Sequence, residues 1–445
     1  ARIIPIAQSG SDRRYFRILA GGASYIGTYV PNPREGRSFV KLAEGFRKAG
    51  RNVPEVFAVS DDFRFYLQED LGEVTLFSQL GSPHATELIK KSLLSLISLQ
   101  QTAEEIWKDE CMARPFGKRQ AMWDLNYFKY EYLKPKEVIF DEDLLEDDFE
   151  RLAENLAGID KEFQGFMMRD CQSRNVMVTP TGPFFIDFQG GRKGPALYDA
   201  VSFLWQARAG FDLDLRFEML DFYCDGYCRH DQRKKEGMLA SLGDMVLFRT
   251  LQVLGAYGFR GLVQRKAHFL LSIPGALSNL RELIEHGCLD NYPQLKRCAQ
   301  DLTADPLITD EASIDGLTVE IYSFSYKKGY PEDLSGNGGG FMFDCRSLHN
   351  PGRYTQYRTL TGRNRAVIDF LESTGEAVGF LRHTWALTDA AVERYLARGF
   401  TKLQIGYGCT GGQHRSVYCA EQTAAHVKKT FPEVAVRLIH REHPE

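Results

Sequence analysis

Residues 168–191, MRDCQSRNVMVTPTGPFFIDFQGG, restrict the fold of this chain more than any other segment. Asp170 is followed five residues later by Asn175, and two short apolar runs then flank a turn of proline, threonine and glycine. The second apolar run ends at Asp187. Apolar runs on both sides of such a turn are typical of a β-hairpin. A hairpin here would hold Asn175 and Asp187 at a fixed separation.

Three oxygen-bearing side chains in this order suit phosphoryl transfer, in which a protein orients an acceptor hydroxyl and holds Mg²⁺ against nucleotide phosphates. We expect Asp170 to accept the hydroxyl proton. We expect Asn175 and Asp187 to be metal ligands, because Mg²⁺ prefers hard oxygen donors. Asp and Asn at this spacing are also ordinary turn residues. The hairpin and the carboxylate after it favour the functional interpretation.

The same segment resembles the aminoglycoside phosphotransferase and choline kinase superfamily of small-molecule kinases. The runs RDCQSRNVMV, FFIDFQGGRKGPALYDAVSFL and SGSDRRYFRI are most similar to the N-acetylmuramate/N-acetylglucosamine 1-kinases of cell-wall recycling. The likeness extends through roughly the first 300 residues. It implies an α+β protein-kinase-like bilobal fold with an antiparallel N-lobe sheet and a mostly helical C-lobe. It also implies ATP and Mg²⁺ as cofactors and an anomeric hydroxyl as acceptor. Met168 stands where these kinases usually carry His.

The nucleotide site is expected in the N-lobe. The loop SGSDRR lies where a kinase covers the phosphates, and Arg13 or Arg14 lies near enough to add charge. Thr28 stands where a Lys is expected on the third strand, so phosphate contacts would fall to the loop backbone and to Arg14 or Arg17. The segment FYLQEDLG is expected beside the adenine. The predicted ATP-binding residues are Ser9, Gly10, Ser11, Arg14, Gln68, Glu69 and Leu71.

Further residues are expected to support the site. Glu35 or Glu44, on a predicted helix, would orient a phosphate-binding cation or simply form a solvated helix face. The resemblance implies structural support of the catalytic loop by Arg169, Tyr198 and Asp199, with Asp199 a buried carboxylate at the start of a helix.

An aromatic cluster in the C-lobe has two interpretations. Its side chains would stack on a sugar ring, since apolar sugar faces pack on aromatic planes, or would lie in the core. The core interpretation is favoured for most of them. The residues are Trp123, Tyr127, Phe128, Tyr130 and Tyr132.

Composition bounds the class of protein. At 445 residues the chain exceeds what one hydrophobic core usually organises, so two or three domains are expected. No run approaches the roughly 18 apolar residues of a membrane span, and we expect no signal peptide. Nine scattered cysteines indicate reduced thiols and a cytoplasmic protein. Cys224 and Cys228 beside His230 are interpreted as two buried thiols rather than a zinc site. The net charge of −4 does not indicate nucleic acid.

The predicted domains are a kinase N-lobe at residues 1–82, a C-lobe at 83–300, a linker at 301–316 and a C-terminal domain at 317–445. The linker is acidic, contains Pro306 and has no sustained period. The last domain alternates strand-like and helix-like segments, which predicts a small α/β domain with sites at the carboxyl ends of strands.

The motif GCTGGQHRS lies between a predicted strand and a predicted helix. Consecutive N–H groups and the helix N-terminus favour an anion there, and Arg415 would grip a phosphate with two hydrogen bonds. With SFSYKKGYP, FDCRSLHNPG and TLTGRN, the motif closely resembles the C-terminal domain of the RNase adapter RapZ. That resemblance implies glucosamine-6-phosphate as ligand, contact with regulatory RNA, and a sugar-phosphate pocket. The implied pocket residues are Asp344, Arg346, Asn350, Cys409, Thr410, Gly411, Gly412, His414, Arg415 and Ser416.

The predicted function is an ATP-dependent kinase for an amino sugar, fused to a domain that binds an amino-sugar phosphate as regulator, with no membrane partner. Three alternatives stay open. The acceptor is another small alcohol, a nucleoside or an RNA hydroxyl. The chain is a non-catalytic RNA-binding adapter. Or the Cys-x5-Arg-Ser pattern from Cys409 is a phosphatase loop, although Gly408 stands where such enzymes have His.

Overall fold

The computed structural model describes residues 2–6, 12–106, 113–264, 266–270, 272–304, 317–331, 340–398 and 400–442. The chain divides into two compact units, residues 1–264 with 272–308, and residues 265–271 with 309–445. The predicted phosphate-covering residues Ser9, Gly10 and Ser11 lie outside the described residues.

The first unit begins with an antiparallel sheet of five strands in the order β1-β2-β3-β5-β4. The strands are β1 (Arg2–Pro5), β2 (Arg14–Ala20), β3 (Ala23–Tyr29), β4 (Val56–Val59) and β5 (Phe65–Glu69). Helix α1 (Pro33–Lys48) lies between β3 and β4 in the chain. The Asn32 side chain caps α1 by accepting the N–H of Arg34, and Pro33 occupies its first turn, where a missing N–H costs nothing. The helix therefore begins where local sequence dictates.

Helices dominate the next part of the chain. Two π-helical turns, Lys129–Leu133 and Gly258–Val263, follow directly on two of these helices, and the backbones of the two turns meet closely. A Cβ atom on Gly258 would lie 1.9 Å from the carbonyl oxygen of Glu131, so only glycine fits there. The helices are α2 (Ala85–Ile106), α3 (Lys118–Phe128), α4 (Glu142–Ala157), α5 (Leu197–Leu204), α6 (Leu213–Tyr227), α7 (Gln232–Leu239), α8 (Leu242–Tyr257), α9 (Ala267–Leu270), α10 (Ile273–Glu285) and α11 (Pro293–Thr303). Because α11 runs to Thr303, the first three residues of the predicted linker belong to a helix.

Two small antiparallel sheets lie between α4 and α5 in the chain. One pairs β6 (Gln164–Met167) with β9 (Arg192–Pro195), and the other is the hairpin of β7 (Val176–Thr179) and β8 (Gly182–Phe185). The sequence predicted the hairpin and missed the β6–β9 pair. Every residue of the following helix, α5, is buried, so this region is anchored in the core.

The second unit contains a parallel sheet in the order β11-β12-β10-β13. The strands are β10 (Thr318–Ser325), β11 (Gly340–Asp344), β12 (Lys402–Cys409) and β13 (Ala435–His440), and the helices are α12 (Arg365–Ser373), α13 (Glu376–Ala397) and α14 (Arg415–Thr430). Strand β13 was not predicted, and α13 begins 13 residues before the predicted start near Asp389. The predicted fold class, a kinase-like α+β fold followed by an α/β domain, is confirmed.

Among the described residues, no single helix combines the length and the apolar character needed to cross a membrane. One bent pair, Gln232–Leu239 with Leu242–Val263, passes on length and composition only. The eight cysteines in the described part of the chain are all free, and Cys224 and Cys228 are buried.

Candidate functional site

The catalytic loop after β6 is fixed by a buried carboxylate. Asp199 Oδ2 accepts the main-chain N–H of Met168 at 2.7 Å, and Oδ1 accepts that of Arg169 at 3.1 Å. Burial raises the pKa of Asp199 to about 7, and the two N–H groups oppose the rise. Both contacts use backbone atoms, so loop geometry does not depend on an imidazole at position 168.

Arg169 has a left-handed backbone, φ +78°, which is uncommon for a residue with a Cβ. Its Nη2 lies 2.6 Å from Asp124 Oδ2 on α3, and this pair holds the residue in place. The next side chain, Asp170, is 58% exposed. The strained turn therefore presents the candidate base to solvent while its neighbour is tied to the C-lobe.

Asp170, Asn175 and Asp187 come together. Asn175 Nδ2 donates to the main-chain oxygen of Asp170 at 2.8 Å and lies 3.5 Å from Asp187 Oδ2. The N–H of Ile186 donates to the carbonyl of Asn175 at 2.9 Å, so the hairpin itself fixes this separation. Asp187 also has positive φ, +66°. Such backbone outliers concentrate at functional sites.

Arg13, rather than the predicted Arg14, reaches this site. Its Nη2 lies 2.5 Å from Asp187 Oδ1, and its Nε lies 3.3 Å from Glu35 Oε1 on α1. Arg14 is exposed, because neighbouring side chains of an extended chain point to opposite faces. Arg17 instead pairs with Asp70 at 2.7 Å.

Arg249 on α8 was missed by the sequence analysis. Its Nη1 donates to the Tyr198 hydroxyl at 3.0 Å and to Gln252 Oε1 at 2.6 Å, and its Nη2 lies 3.9 Å from Asp170 Oδ1. The sequence does contain a signal for it, a lone Arg within the apolar run MVLFRTLQVL. Burying a charged side chain is costly, so such an Arg usually has a partner or a role. It brings a cation to the candidate base.

Arg192, at the start of β9, was also missed. It pairs in register with Met167, just before the catalytic loop. Within the described part of the chain, its buried Nε has no hydrogen-bond partner. Burial, and then the like charge of Arg169, lower the pKa of Arg192 to about 10. An anion beside Arg192 would relieve both penalties.

The predicted metal ligands fit Mg²⁺. No group of three or more His, Cys, Asp or Glu side chains suited to a metal occurs in the regions that the structure describes. Mg²⁺ does not need such a group, because it commonly takes one or two protein ligands together with water and substrate phosphates. The amide of Asn175 beside the carboxylate of Asp187 is a donor set of that kind.

The other predicted nucleotide contacts lie on and after β5. Gln68 is buried and donates to the Thr28 hydroxyl at 3.1 Å, so both face each other inside the N-lobe sheet. Glu69 accepts the N–H of Glu55 at 3.2 Å, and Leu71 is half-buried just beyond the strand. These positions neighbour the sheet rather than the catalytic loop.

The aromatic cluster splits into two sets. Phe128 and Tyr132 are fully buried and pack in the core. Trp123 is 70% exposed and Tyr130 is 54% exposed, and Tyr127 contacts the ring of Phe259 at 6.2 Å. Trp123 precedes Asp124, the partner of Arg169. The exposed set is thus available to a ligand and the buried set is not.

In the second unit, adjacent strands end together. Ser325 of β10 and Gly408 of β12 lie beside Cys409 and Asp344 respectively, at the carboxyl edge of the parallel sheet. The loop after β12 leads into α14. A cavity of about 180 Å³ at this loop is lined by Asn350, Gly352, Cys409, Thr410, Gly411, Gln413, His414 and Arg415.

Six predicted pocket residues therefore line one cavity, together with Gly352 and Gln413, which were not predicted. Four other predicted residues do not line it. Asp344 and Arg346 form an ion pair at 2.7 Å, and Gly412 and Ser416 are buried.

Arg415 lines the cavity and also braces the main chain. Its Nη1 donates to the carbonyl oxygens of Arg346 at 3.1 Å and Leu348 at 3.0 Å. Its buried Nε has no hydrogen-bond partner within the described residues. The two-point grip on a phosphate therefore stays a prediction.

Cys409 is held by the same loop. Its Sγ lies 3.1 Å from the Ser416 hydroxyl. Burial raises the pKa of the thiol, but hydrogen bonds from Ser416 and Gly412 and the charge of Arg415 bring the pKa below its ordinary value. The loop is therefore suited to stabilise negative charge.

Comparison with known families agrees with this division of the chain. A model of the phosphotransferase enzyme family, APH, matches residues 2–235, which is more than half of the chain. The chain belongs to the phosphotransferase enzyme family. A model of the RapZ C-terminal domain matches residues 317–444 of the chain. The predicted families are confirmed at this level, and the narrower likeness to amino-sugar 1-kinases stays a prediction.

Curated relatives match part of the chain. A nucleotide-binding protein of Xylella fastidiosa (strain 9a5c) is 34% identical over 187 residues, covering 40% of this chain and 60% of the relative. A nucleotide-binding protein of Ruegeria sp. (strain TM1040) is 38% identical over 128 residues, covering 29% of this chain and 40% of the relative. The chain thus spans 60% of the length of the first relative and 40% of the length of the second.

Solved structures with a similar fold include an ethanolamine kinase of Plasmodium vivax, 15% identical, TM-score 0.46, covering 66% of this chain and 83% of that one. A choline kinase of Cryptosporidium parvum is 14% identical, TM-score 0.47, covering 66% of this chain and 93% of that one.

Proposed function

We propose that the phosphotransferase transfers the γ-phosphoryl group of ATP to a hydroxyl of an amino sugar, with Mg²⁺. The observation that carries the proposal is the position of Asn175, whose Nδ2 donates to the main-chain oxygen of Asp170 at 2.8 Å and lies 3.5 Å from Asp187 Oδ2. Asn175 and Asp187 would hold the metal, which supplies charge neutralisation to the phosphates when bound.

The reaction proceeds by in-line displacement. The acceptor oxygen forms a bond to the γ-phosphorus, the bond from that phosphorus to the β,γ-bridging oxygen breaks, and ADP leaves. The acceptor proton passes to the carboxylate of Asp170. Arg249 Nη2 lies 3.9 Å from this carboxylate and brings a positive charge to the candidate base.

The acceptor is proposed to be N-acetylmuramate or N-acetylglucosamine, phosphorylated at the anomeric hydroxyl. The sequence likeness to 1-kinases supports this choice, and the exposed rings of Trp123 and Tyr130 offer apolar planes to a sugar. Arg192 lies beside Met167, just before the catalytic loop, and its positive charge would favour the acceptor that carries a carboxylate. We therefore rank N-acetylmuramate first.

The test is Asp170→Asn with ATP and a panel of amino sugars, followed by phosphorus NMR to locate the new phosphate. The turnover number should fall by about 10² to 10⁴, the usual share of a general base, while nucleotide affinity is retained. Asp147→Asn, an exposed carboxylate on α4, is the matched control and should keep full activity. Undiminished turnover in Asp170→Asn would remove the assignment of the base. A wild-type protein that phosphorylates only non-sugar alcohols would remove the acceptor class.

For the second unit we propose binding of an amino-sugar phosphate in the cavity at the start of α14, as a regulator of the kinase. The N–H groups of the loop, the helix N-terminus and the depressed pKa of Cys409 support an anion there. Calorimetric titration with glucosamine-6-phosphate should give binding that inorganic phosphate alone does not reproduce. Regulation of the kinase by this ligand requires that acceptor and regulator change each other's binding affinity by the same factor.

A further inference from the structure

Arg13 lies between two carboxylates on different elements. Its Nη2 is 2.5 Å from Asp187 Oδ1 and its Nε is 3.3 Å from Glu35 Oε1. Its side chain is only 10% exposed. The guanidinium therefore neutralises the carboxylate proposed as a metal ligand, while Glu35 anchors it to α1.

Phosphoryl transfer also needs a protein cation at the nucleotide phosphates. Strand β3 supplies none at the expected position, where Thr28 is buried and accepts a hydrogen bond from Gln68. Arg17 is engaged with Asp70. Kinases pair a lysine on strand β3 with a glutamate on a helix. Here Arg13, which lies just before β2, forms the corresponding pair with Glu35 on α1.

We propose that Arg13 exchanges partners when nucleotide binds, an inference that rests on the proposed function. Without nucleotide, Arg13 neutralises Asp187. When a divalent cation takes Asp187, Arg13 moves to the nucleotide phosphates and keeps its contact with Glu35. Arg13 lies 2.5 Å from Asp187 Oδ1, and a divalent cation bound to the same carboxylate would repel the guanidinium charge. The two parallel N–H groups of a guanidinium also match the spacing of two phosphate oxygens.

The exchange gives Arg13 opposite effects on two ligands. It competes with a divalent cation that binds alone, and it adds a charge-assisted contact to a nucleotide. Arg13→Gln should therefore bind metal more tightly and nucleotide more weakly. An arginine that only braces the fold would weaken both.

The experiment uses the full chain of wild type, Arg13→Gln and Arg37→Gln, with thermal melts as a check of folding. Electron paramagnetic resonance of MnCl₂ alone measures metal binding, and calorimetry of ADP with EDTA measures phosphate contact. Arg13→Gln should bind Mn²⁺ about tenfold more tightly and ADP at least about tenfold more weakly, the size expected for one charged hydrogen bond. Arg37→Gln, an exposed position on α1 with no proposed role in binding, should change neither affinity by more than about twofold.

Glu35→Gln is the second variant, in case Arg13→Gln does not fold. It should weaken binding of Mn²⁺, because Arg13 then keeps Asp187 and loses its other carboxylate. Loss of both ligands in Arg13→Gln, or unchanged ADP affinity, would overturn the exchange. A wild-type chain that binds neither ADP nor ATP would remove the proposed function and the exchange with it. Wild-type nucleotide binding with an unaltered Arg13→Gln removes the exchange alone.

Discussion

The carboxylate of Asp199 holds the main-chain N–H of Met168 at 2.7 Å, at the start of the loop that carries the candidate base. This bond, and its companion to Arg169, link α5 to the catalytic loop. A buried residue on one helix thus decides the backbone path two residues before Asp170.

Asp199→Asn should therefore loosen the loop. An amide offers one oxygen where the carboxylate offers two, and its NH₂ would face a main-chain N–H. We expect a loss of about 1–3 kcal/mol in the free energy of unfolding and a lower turnover number. Urea unfolding with parallel assays of turnover checks this. A variant as stable and as active as wild type would show that the loop is held elsewhere.

The stability conferred by Asp199 should also depend on pH. Burial raises the pKa of Asp199 from 3.8 to about 7 in the folded protein. Between these values the folded state binds more protons at this site than the unfolded state, so its contribution to stability falls as pH rises. The difference in unfolding free energy between wild type and Asp199→Asn should be larger at pH 4.5 than at pH 7.5. A constant difference would contradict the raised pKa.

Arg249→Met should impair both folding and catalysis. It removes the hydrogen bonds to Tyr198 and Gln252 and the positive charge beside Asp170, and the loss of charged hydrogen bonds typically costs about 1.5–3 kcal/mol. Arg249→Lys keeps the positive charge but lacks the planar pair of guanidinium nitrogens. It should therefore recover more of the lost stability than of the lost turnover. Calorimetric melting and the separate measurement of kcat and KM distinguish these effects. Full activity in Arg249→Met would exclude a role beside the base.

Arg192→Gln should separate two acceptors. If the guanidinium meets an acceptor carboxylate, KM for N-acetylmuramate should rise by about tenfold or more, as expected for a lost charged hydrogen bond. KM for neutral N-acetylglucosamine should stay unchanged. Equal losses with both sugars would place Arg192 at the transferred phosphoryl group instead. Arg37→Gln, at an exposed position on α1, serves as the control.

The loop before α14 offers a matched pair of glycines. A Cβ on Gly412, which has φ +69°, would lie 3.1 Å from the nitrogen of Ser325 and 2.3 Å from Cγ of Glu442. Gly412→Ala should therefore destabilise the second unit by about 1–3 kcal/mol. A Cβ on Gly411 would meet open space inside the cavity.

Gly411→Ala should thus keep its stability and lose affinity for glucosamine-6-phosphate, by about 10-fold to 200-fold for one added methyl group. Differential scanning calorimetry and titration calorimetry read the two effects separately. Unchanged affinity in Gly411→Ala would place the ligand outside this cavity.

Local sequence was enough for several features. The hairpin around Asn175 and Asp187 and the glycine-bearing turn into α14 were predictable, because turn residues and apolar runs dictate short segments. The capped start of α1 at Asn32 also follows local rules. By contrast, strand β13 and the pairing of β6 with β9 were missed, since short strands are stabilised by partners distant in the chain.

By itself the sequence determined that Asp170, Asn175 and Asp187 share one loop and hairpin, because their separation is set by neighbours in the chain. Only the tertiary structure decided which arginines surround them. Arg13 faces Asp187 while Arg14 does not, since a shift of one residue in extended chain reverses the side-chain direction. Arg249 comes from a distant helix, and long-range packing, which no local pattern encodes, brings it to Asp170.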